Sequence, residues 1–303
     1  LLVRYLVDLV PEQYDYYCEP FFGGGSMLFR LQPAMVETVN DINGDLMHLY
    51  RVLRDRQSFR EFLHMATYTL HSRALFEECR DGWRQETDPV RRAWAFWVTC
   101  RQSYCGDLST KGWKYSIEHN RRHMSKETMA LLATIRALPQ IHERLQRVQI
   151  ECADALRVIE SYSTRRCLLY VDPPYHLDTR TQYGRYDYEM DSDQHADLVE
   201  VLLRTDALVM VSGYQHETYA ALDRAGWDRW ERKTACQADT VGRRHGRQRR
   251  QLRLEIVWRN YRNRDGQVVR LETRRDVTVP RPWRVEQQMR MFATTTETGT
   301  ETV

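Results

Sequence analysis

Two carboxylates at the ends of expected strands are the residues in this chain best suited to chemistry. Asp172-Pro173-Pro174-Tyr175 follows the run Cys167-Leu168-Leu169-Tyr170-Val171. A run that short and that apolar reads as a buried parallel strand, and open α/β sheets bind ligands at the carboxyl ends of such strands. An exocyclic amine such as adenine N6 is a poor nucleophile, because its lone pair is delocalised into the ring. Hydrogen bonds from that amine to the Asp172 carboxylate and the Pro173 carbonyl would turn the lone pair towards an incoming electrophile. The two prolines, Pro173 and Pro174, hold an extended turn and keep that carbonyl out of ladder pairing. Tyr175 offers a flat face on which an extruded base can stack, worth about 1–3 kcal/mol. A plain proline turn at a strand end would explain the Pro-Pro pair, but not an acid before it and an aromatic after it.

The second carboxylate is Asp41. The strand Tyr16-Tyr17-Cys18 leads into the turn Glu19-Pro20-Phe21-Phe22-Gly23-Gly24-Gly25-Ser26, and a second strand, Val36 to Val39, ends at Asn40-Asp41. Glycines after a strand let the backbone approach a ligand, and a carboxylate at the next strand tip can accept both hydroxyls of a ribose. Glycine turns are also common as plain structure. The pattern is neither a long phosphate-cradling loop nor a P-loop, since no Lys-Ser/Thr follows.

The elements that must position these residues follow from periodicity. A helix is expected after the glycine turn through Met27, Leu28 and Leu31. From about residue 43 to 147 the pattern is helical. Ser58 and Glu61 form an expected capping box ahead of Phe59, Phe62, Leu63, Ala66 and Leu70, and Asp88-Pro89 opens a helix with the stripe Val90, Ala93, Trp94, Trp97 and Val98. Residues 103–123 read as a surface loop. Alternation then resumes with a strand at Val148–Ile150, a helix from Asp154 to Tyr162 and the buried strand 167–171. A helix capped by Ser192 carries Ala196, Val199, Leu202 and Leu203, and a strand follows at Leu208–Ser212. Leu252, Leu254, Ile256 and Trp258 alternate with polar residues as in a half-buried antiparallel strand, in a hairpin with 228–235.

Composition narrows the class. The chain has 303 residues, 42% hydrophobic and 29% charged, with a net charge of +3, as in a folded globular protein. It has no apolar run near the roughly 20 residues a membrane helix needs, so no membrane partner is expected. The Met-less start Leu1-Leu2-Val3-Arg4 reads as a truncated helix rather than a signal peptide. Seven cysteines lie far apart without metal spacing, so they are expected as free thiols, small core hydrophobes in a reducing cytoplasm, and no metal is expected. Residues 243–253 hold six arginines and no acid. Such a cluster can neutralise several phosphates and release counterions, although a charge run can equally be a solvated surface.

The stretches Glu19 to Ser26, Asn40-Asp41-Ile42-Asn43-Gly44-Asp45-Leu46 and Asp172 to Tyr175 together resemble motifs I, II and IV of the Dam-like, alpha-group DNA adenine-N6 methyltransferases. Ser212-Gly213-Tyr214 and the strand Leu254-Glu255-Ile256-Val257-Trp258 resemble later strands of that family, so the likeness covers about residues 1–260. The resemblance implies an α/β fold, a Rossmann-like methyltransferase sheet with an inserted helical target-recognition subdomain. Residues 1–51 would be the cofactor half, 52–147 the target-recognition subdomain, 148–262 the catalytic half with the basic hairpin, and 263–303 an extension whose tail, Ala293 to Val303, reads as disordered. It implies S-adenosylmethionine as cofactor, held by Glu19, Phe21, Gly23, Gly25, Asp41, Asp154 and Asp172. Asp172, Pro173, Pro174 and Tyr175 would hold a target adenine flipped out of double-stranded DNA, for direct in-line methyl transfer. Arg243, Arg244, Arg247, Arg249 and Arg250, with Lys111, Arg121 and Arg122 of the loop 103–123, would grip DNA. The protein would be a cytoplasmic, DNA-associated monomer, with a dimer as the alternative. One departure is the absence of the family's aromatic-x-Gly-Gly-Lys element upstream of the first helix, which the blunt start ascribes to trimming. Three other readings stay open: an N4-cytosine methyltransferase, a DNA-binding relative that has lost catalysis, and a nicotinamide oxidoreductase built on the glycine turn.

Overall fold

A computed structural model describes residues 3–103, 112–116, 123–176, 188–235 and 252–261, all within the compact unit Leu1–Gln267. Seven strands form one sheet: β1 Tyr16–Glu19, β2 Val36–Asn40, β3 Val148–Glu151, β4 Cys167–Val171, β5 Leu208–Tyr214, β6 Asp228–Ala235 and β7 Leu252–Arg259. Their order is β3-β2-β1-β4-β5-β7-β6. Strands β1 to β5 run parallel, whereas β7 pairs antiparallel with both β5 and β6. This is the Rossmann-like α/β sheet expected of the sequence. Its order reverses between β1 and β4, the switch point at which open α/β sheets leave a crevice beyond the strand ends.

The sheet is covered on both faces, and the strands alternate between two cores. Tyr17, Val39, Leu168, Tyr170, Met210 and Val257 face the first core. Cys18, Cys167, Leu169, Val171, Val209, Val211, Ile256 and Trp258 face the second. This explains why β4 reads as an unbroken apolar run. It also corrects the half-buried reading of β7, because Val257 is as buried as its neighbours Ile256 and Trp258.

Helices α2 Gly44–Arg54, α3 Arg56–Thr67, α4 Arg73–Gly82, α5 Pro89–Gln102 and α6 Lys126–Leu145 share the first core. A buried ion pair between Arg144 of α6 and Glu37 of β2, and the contact of His142 Nδ1 with the Leu53 carbonyl at 2.7 Å, tie α6 to β2 and to α2. The second core is closed by α7 Ala155–Ser161, α8 Ser192–Arg204 and α9 Ala220–Arg224. A short helix, α1 Val3–Leu6, precedes β1. No helix of the described residues is long and apolar enough to cross a membrane.

Several local expectations need correction. The stretch after the glycine turn forms a series of turns rather than a helix. The Leu28 N–H goes to the Glu19 carboxylate at 2.7 Å instead of to an upstream carbonyl, and Pro33 lies too close to prolong a helix. Asp55, not Ser58, caps α3 by accepting from the Ser58 N–H, and Leu70, beyond the end of α3, is 71% exposed. Asp191, not Ser192, caps α8, with Gln194 completing the capping box. The buried face of α8 is His195, Leu198, Val199, Val201 and Leu202, while Ala196 and Leu203 point outwards. Asp88 and Pro89 open α5 as expected. Of the five described cysteines, Cys18, Cys79 and Cys167 are core residues, Cys100 is half-buried and Cys152 is exposed, so the core reading does not extend to Cys152. Cys105 and Cys236 lie outside the described residues.

Candidate active site

The carboxyl ends of β1, β2 and β4 surround a cavity of about 570 Å3. Asp172 stands one residue past β4 and Asp41 one residue past β2, so the register of the parallel strands brings the two carboxylates to the same opening. Glu19, Phe21, Gly23, Asp41 and Asp154 line the cavity, as do Asp172, Pro173, Pro174 and Tyr175. Gly25 does not. It sits behind the turn with φ +64°, and a Cβ there would come within 2.6 Å of the Phe22 and Phe29 rings. Its glycine is required by backbone conformation and by those two rings. Lys111, Arg121, Arg122, Arg243, Arg244, Arg247, Arg249 and Arg250 lie outside the described residues. The strands that flank the arginine cluster, β6 and β7, form the expected antiparallel pair.

The wall on the β1–β2 side is set by side chains that reach the main chain. Asp41 Oδ2 accepts from the Gly23 N–H and Oδ1 from the Asn43 N–H, both at 2.9 Å. The Tyr50 hydroxyl of α2 donates to the Gly23 carbonyl at 2.9 Å. Asn40, fully buried, donates from Nδ2 to the carbonyls of Pro20 and Ala153 and accepts the Ala153 N–H on Oδ1. One carboxamide therefore joins the turns after β1 and β3 to the end of β2. Asp154 caps α7, its Oδ1 accepting from the N–H groups of Leu156 and Arg157. Ile42 and Leu156 add apolar surface near it. Burial raises the Asp41 carboxyl above its ordinary range, against the lowering effect of its two backbone donors.

Glu19 is 1% exposed. The Tyr17 hydroxyl and the Leu28 N–H donate to its Oε1 at 2.6 and 2.7 Å. Burial pushes its carboxyl up to about 8, the two donors opposing the rise and the nearby Asp172 adding to it.

The opposite wall is held by contacts between side chains. The Ser212 hydroxyl of β5 donates to Asp172 Oδ1 at 2.6 Å. The Tyr175 hydroxyl donates to Glu255 Oε2 of β7 at 3.1 Å. Tyr175 and Tyr214 meet edge to face, with centroids 4.5 Å apart and planes at 70°. Burial raises the Asp172 carboxyl above its usual range, while Ser212, Tyr175 and Tyr170 pull it back. Tyr188, Glu189 and Met190, ahead of α8, close this side of the cavity.

Asn40, Tyr50, Ser212, Tyr214 and Glu255 have structural tasks that the sequence reading did not assign. Asn40, Ser212, Tyr214 and Glu255 lie within stretches singled out above, beside better-marked residues. Tyr50 carries no signal beyond its place on the buried face of α2. Among the described residues, no group of three or more His, Cys, Asp or Glu is arranged to hold a metal ion.

A volume of about 570 Å3 lies inside the roughly 300–1,000 Å3 range typical of small-molecule and cofactor sites. The donor set suits a nucleoside with an attached cationic group. Asp41 has a carboxylate at the rim, Phe21, Ile42 and Leu156 offer apolar faces, and Glu19 and Asp172 supply two acids in the interior.

Comparison with known proteins agrees with this geometry. The Type II methyltransferase M.MjaIII of Methanocaldococcus jannaschii is 28% identical over 199 residues, covering 59% of this chain and 65% of that protein. The Type II methyltransferase M1.LlaDCHI of Lactococcus lactis subsp. cremoris is 39% identical over 54 residues, covering 18% of this chain and 19% of that protein. The chain thus spans less than two thirds of the length of either relative. The family model for D12 class N6 adenine-specific DNA methyltransferases matches residues 1–236. By that match, over most of its length, the chain belongs to the D12 class N6 adenine-specific DNA methyltransferase family.

Proposed function

We propose that this protein methylates adenine N6 at specific sites in double-stranded DNA, with S-adenosylmethionine as methyl donor, and that it is of the Dam-like alpha group. The observation that carries this reading is that Asp41 and Asp172, one suited to a ribose and the other to an amine, line a single cavity. Bound S-adenosylmethionine supplies an electrophilic methyl group and its own leaving group. The chain's residues then have only to bind, orient and exclude water. Asp41 would accept the ribose hydroxyls, with Glu19, Phe21, Gly23 and Asp154 around the remainder of the cofactor. Asp172 and the Pro173 carbonyl would accept the two N–H groups of the flipped adenine's amine, and Tyr175 would stack on its ring. Asp172 acts here as an acceptor that turns the lone pair. It need not act as a strong base, because the amine becomes acidic once alkylated.

The helices of residues 52–147 would read the target sequence. Lys111, Arg121, Arg122 and the cluster Arg243, Arg244, Arg247, Arg249 and Arg250 would hold phosphates. A role beside a restriction enzyme, within a cytoplasm, fits the Type II designation of the two relatives.

The test is transfer of labelled methyl from S-adenosylmethionine to unmethylated DNA, followed by digestion to nucleosides. N6-methyladenine is the expected product. N4-methylcytosine alone, or no incorporation with cofactor bound, would overturn the reading. Long-read sequencing of DNA from cells expressing the protein would then show the methylated motif. Replacing Arg247, Arg249 and Arg250 together should weaken DNA binding and flatten its salt dependence. An unchanged salt slope would remove the hairpin from the interface.

A further inference from the structure

The antiparallel pair β5–β7 presents three side chains to the segment 172–175. Ser212 and Tyr214 lie on β5, and Glu255 lies on β7 directly opposite Tyr214. Because β4 is the parallel neighbour of β5, with Val171 paired to Val211, Ser212 stands beside Asp172. Ser212 is 1% exposed, and its hydroxyl meets Asp172 Oδ1 at 2.6 Å. At that distance a hydroxyl–carboxylate hydrogen bond is short and charge-assisted. It stops the carboxylate from turning about its own axis and commits one oxygen, so the plane of the other is set. Glu255 does the same for the aromatic ring. It accepts the phenol proton of Tyr175 while the Tyr214 ring meets the Tyr175 ring edge to face, which leaves the phenol little freedom to rotate or tilt.

We propose that Ser212 and Glu255 are positioning residues for methyl transfer, Ser212 orienting the Asp172 carboxylate and Glu255 orienting the Tyr175 ring. This rests on the reading of the site as an adenine methyltransferase. Neither residue touches the reacting atoms. Each holds a group that does, and misplacement by a fraction of an ångström is costly when the rate comes from geometry.

The two tethers also differ in chemistry. The groups facing Asp172 are the hydroxyls of Ser212, Tyr170 and Tyr175, with the carboxyl of Glu19 and the phenol of Tyr219 electrostatically coupled to it. Ser212 favours the ionised form of Asp172, and only that form accepts an amine proton with either oxygen. Removing the hydroxyl therefore raises the pH at which Asp172 protonates. The acid limb of the rate profile moves upwards. Glu255 reaches Asp172 only through Tyr175, so its removal should lower the rate and move that limb less than loss of the Ser212 hydroxyl does.

The experiment is single-turnover transfer of labelled methyl to unmethylated genomic DNA across pH 5 to 9, with separate binding measurements for cofactor and DNA. The variants are Ser212→Ala, Ser212→Thr, Glu255→Ala and Glu255→Gln, with melting temperatures as controls. Ser212→Ala is expected to lose about tenfold or more in rate with both affinities within about twofold, and to shift the acid limb upwards. Ser212→Thr keeps the donor and should restore rate and limb. Glu255→Gln keeps an acceptor and should lie closer to the parent than Glu255→Ala. Should Ser212→Ala fail to fold, Ser212→Cys, with a weaker donor in a similar volume, makes the same comparison. Equal losses in Ser212→Ala and Ser212→Thr with the limb unmoved would reduce Ser212 to packing and overturn the proposal. So would full rates in Ser212→Ala and Glu255→Ala. A parent protein that binds cofactor and DNA yet transfers no methyl would instead refute the underlying reading of the site.

Discussion

The two walls of the cavity are built on different principles. On the β1–β2 wall, Asp41, Tyr50 and Asn40 spend their polar atoms on main-chain N–H and C=O groups, so these side chains fix the course of the backbone. On the β4–β5–β7 wall, Ser212 to Asp172 at 2.6 Å and Tyr175 to Glu255 at 3.1 Å join side chain to side chain, and Ser212 reaches the main chain only at 3.5 Å, to the Val171 carbonyl. A change on the first wall therefore reshapes the site and costs stability. A change on the second is expected to alter orientation more than it costs stability.

Asp172→Ala offers the sharpest break in that contrast. It should lower methyl transfer by at least about a hundredfold, the cost of deleting one aimed electrostatic partner. DNA binding and melting temperature should stay near those of the parent. A comparable loss of DNA affinity would show that the second wall also shapes the protein. Asp41→Ala should behave otherwise. It leaves the Gly23 and Asn43 N–H groups without their acceptor, at roughly 1–3 kcal/mol for a buried unpaired group. Cofactor affinity should fall about tenfold or more and the melting temperature should drop with it; calorimetric titration and thermal melts separate the two effects.

Gly25→Ala tests whether the first wall is set by backbone alone, since Gly25 does not line the cavity. Left-handed φ costs roughly 1–2 kcal/mol for a residue with a Cβ, and that Cβ meets two phenyl rings at 2.6 Å. A melting temperature several degrees lower is expected, with weaker cofactor binding as a secondary result. An unchanged melt would mean that the turn relaxes freely.

The remaining prediction concerns pH. The Glu19 carboxyl, pushed up to about 8 by burial, binds its proton more tightly folded than unfolded. Folding is therefore penalised progressively as pH rises from about 4.5 to about 8, and the penalty is complete above that. Glu19→Gln keeps an acceptor for Tyr17 and Leu28 and cannot ionise. It should melt higher than the parent at pH 8.5, with the difference closing by pH 5. A constant difference across that range would mean that ionisation of Glu19 is not what costs stability.

The strand-end residues of both walls were legible in the sequence and the tethers of the second were not, for a physical reason. Glycines after a strand, an acid at the next strand tip and an unbroken apolar run before Asp172 are local patterns, and local patterns survive in one dimension. The tether from Glu255 to Tyr175 spans 80 residues and exists only because β7 runs antiparallel beside β5. Register of that kind is a tertiary result. Local reading failed where two neighbours could do one job. Asp55 and Ser58 both suit a helix start, as do Asp191 and Ser192, and in each case the aspartate further upstream is the cap. It failed again where a distant group competed with the backbone, since no window around Met27 reveals that Glu19 takes the Leu28 N–H. On α8, counting His195 as polar rotated the expected apolar face. In the fold that imidazole is fully buried, its Nδ1 3.0 Å from the Tyr219 hydroxyl.

From the end of β2, the Asn40 carboxamide stitches the turns after β1 and β3 together with three hydrogen bonds. No other side chain of its size both donates twice and accepts. An aspartate would face two carbonyls with a negative charge, and a leucine would strand all three partners. This side of the cavity is consequently braced as one piece rather than as separate flaps. A visiting molecule that is slightly too large finds neither turn free to yield alone, so its fit is set by their fixed spacing.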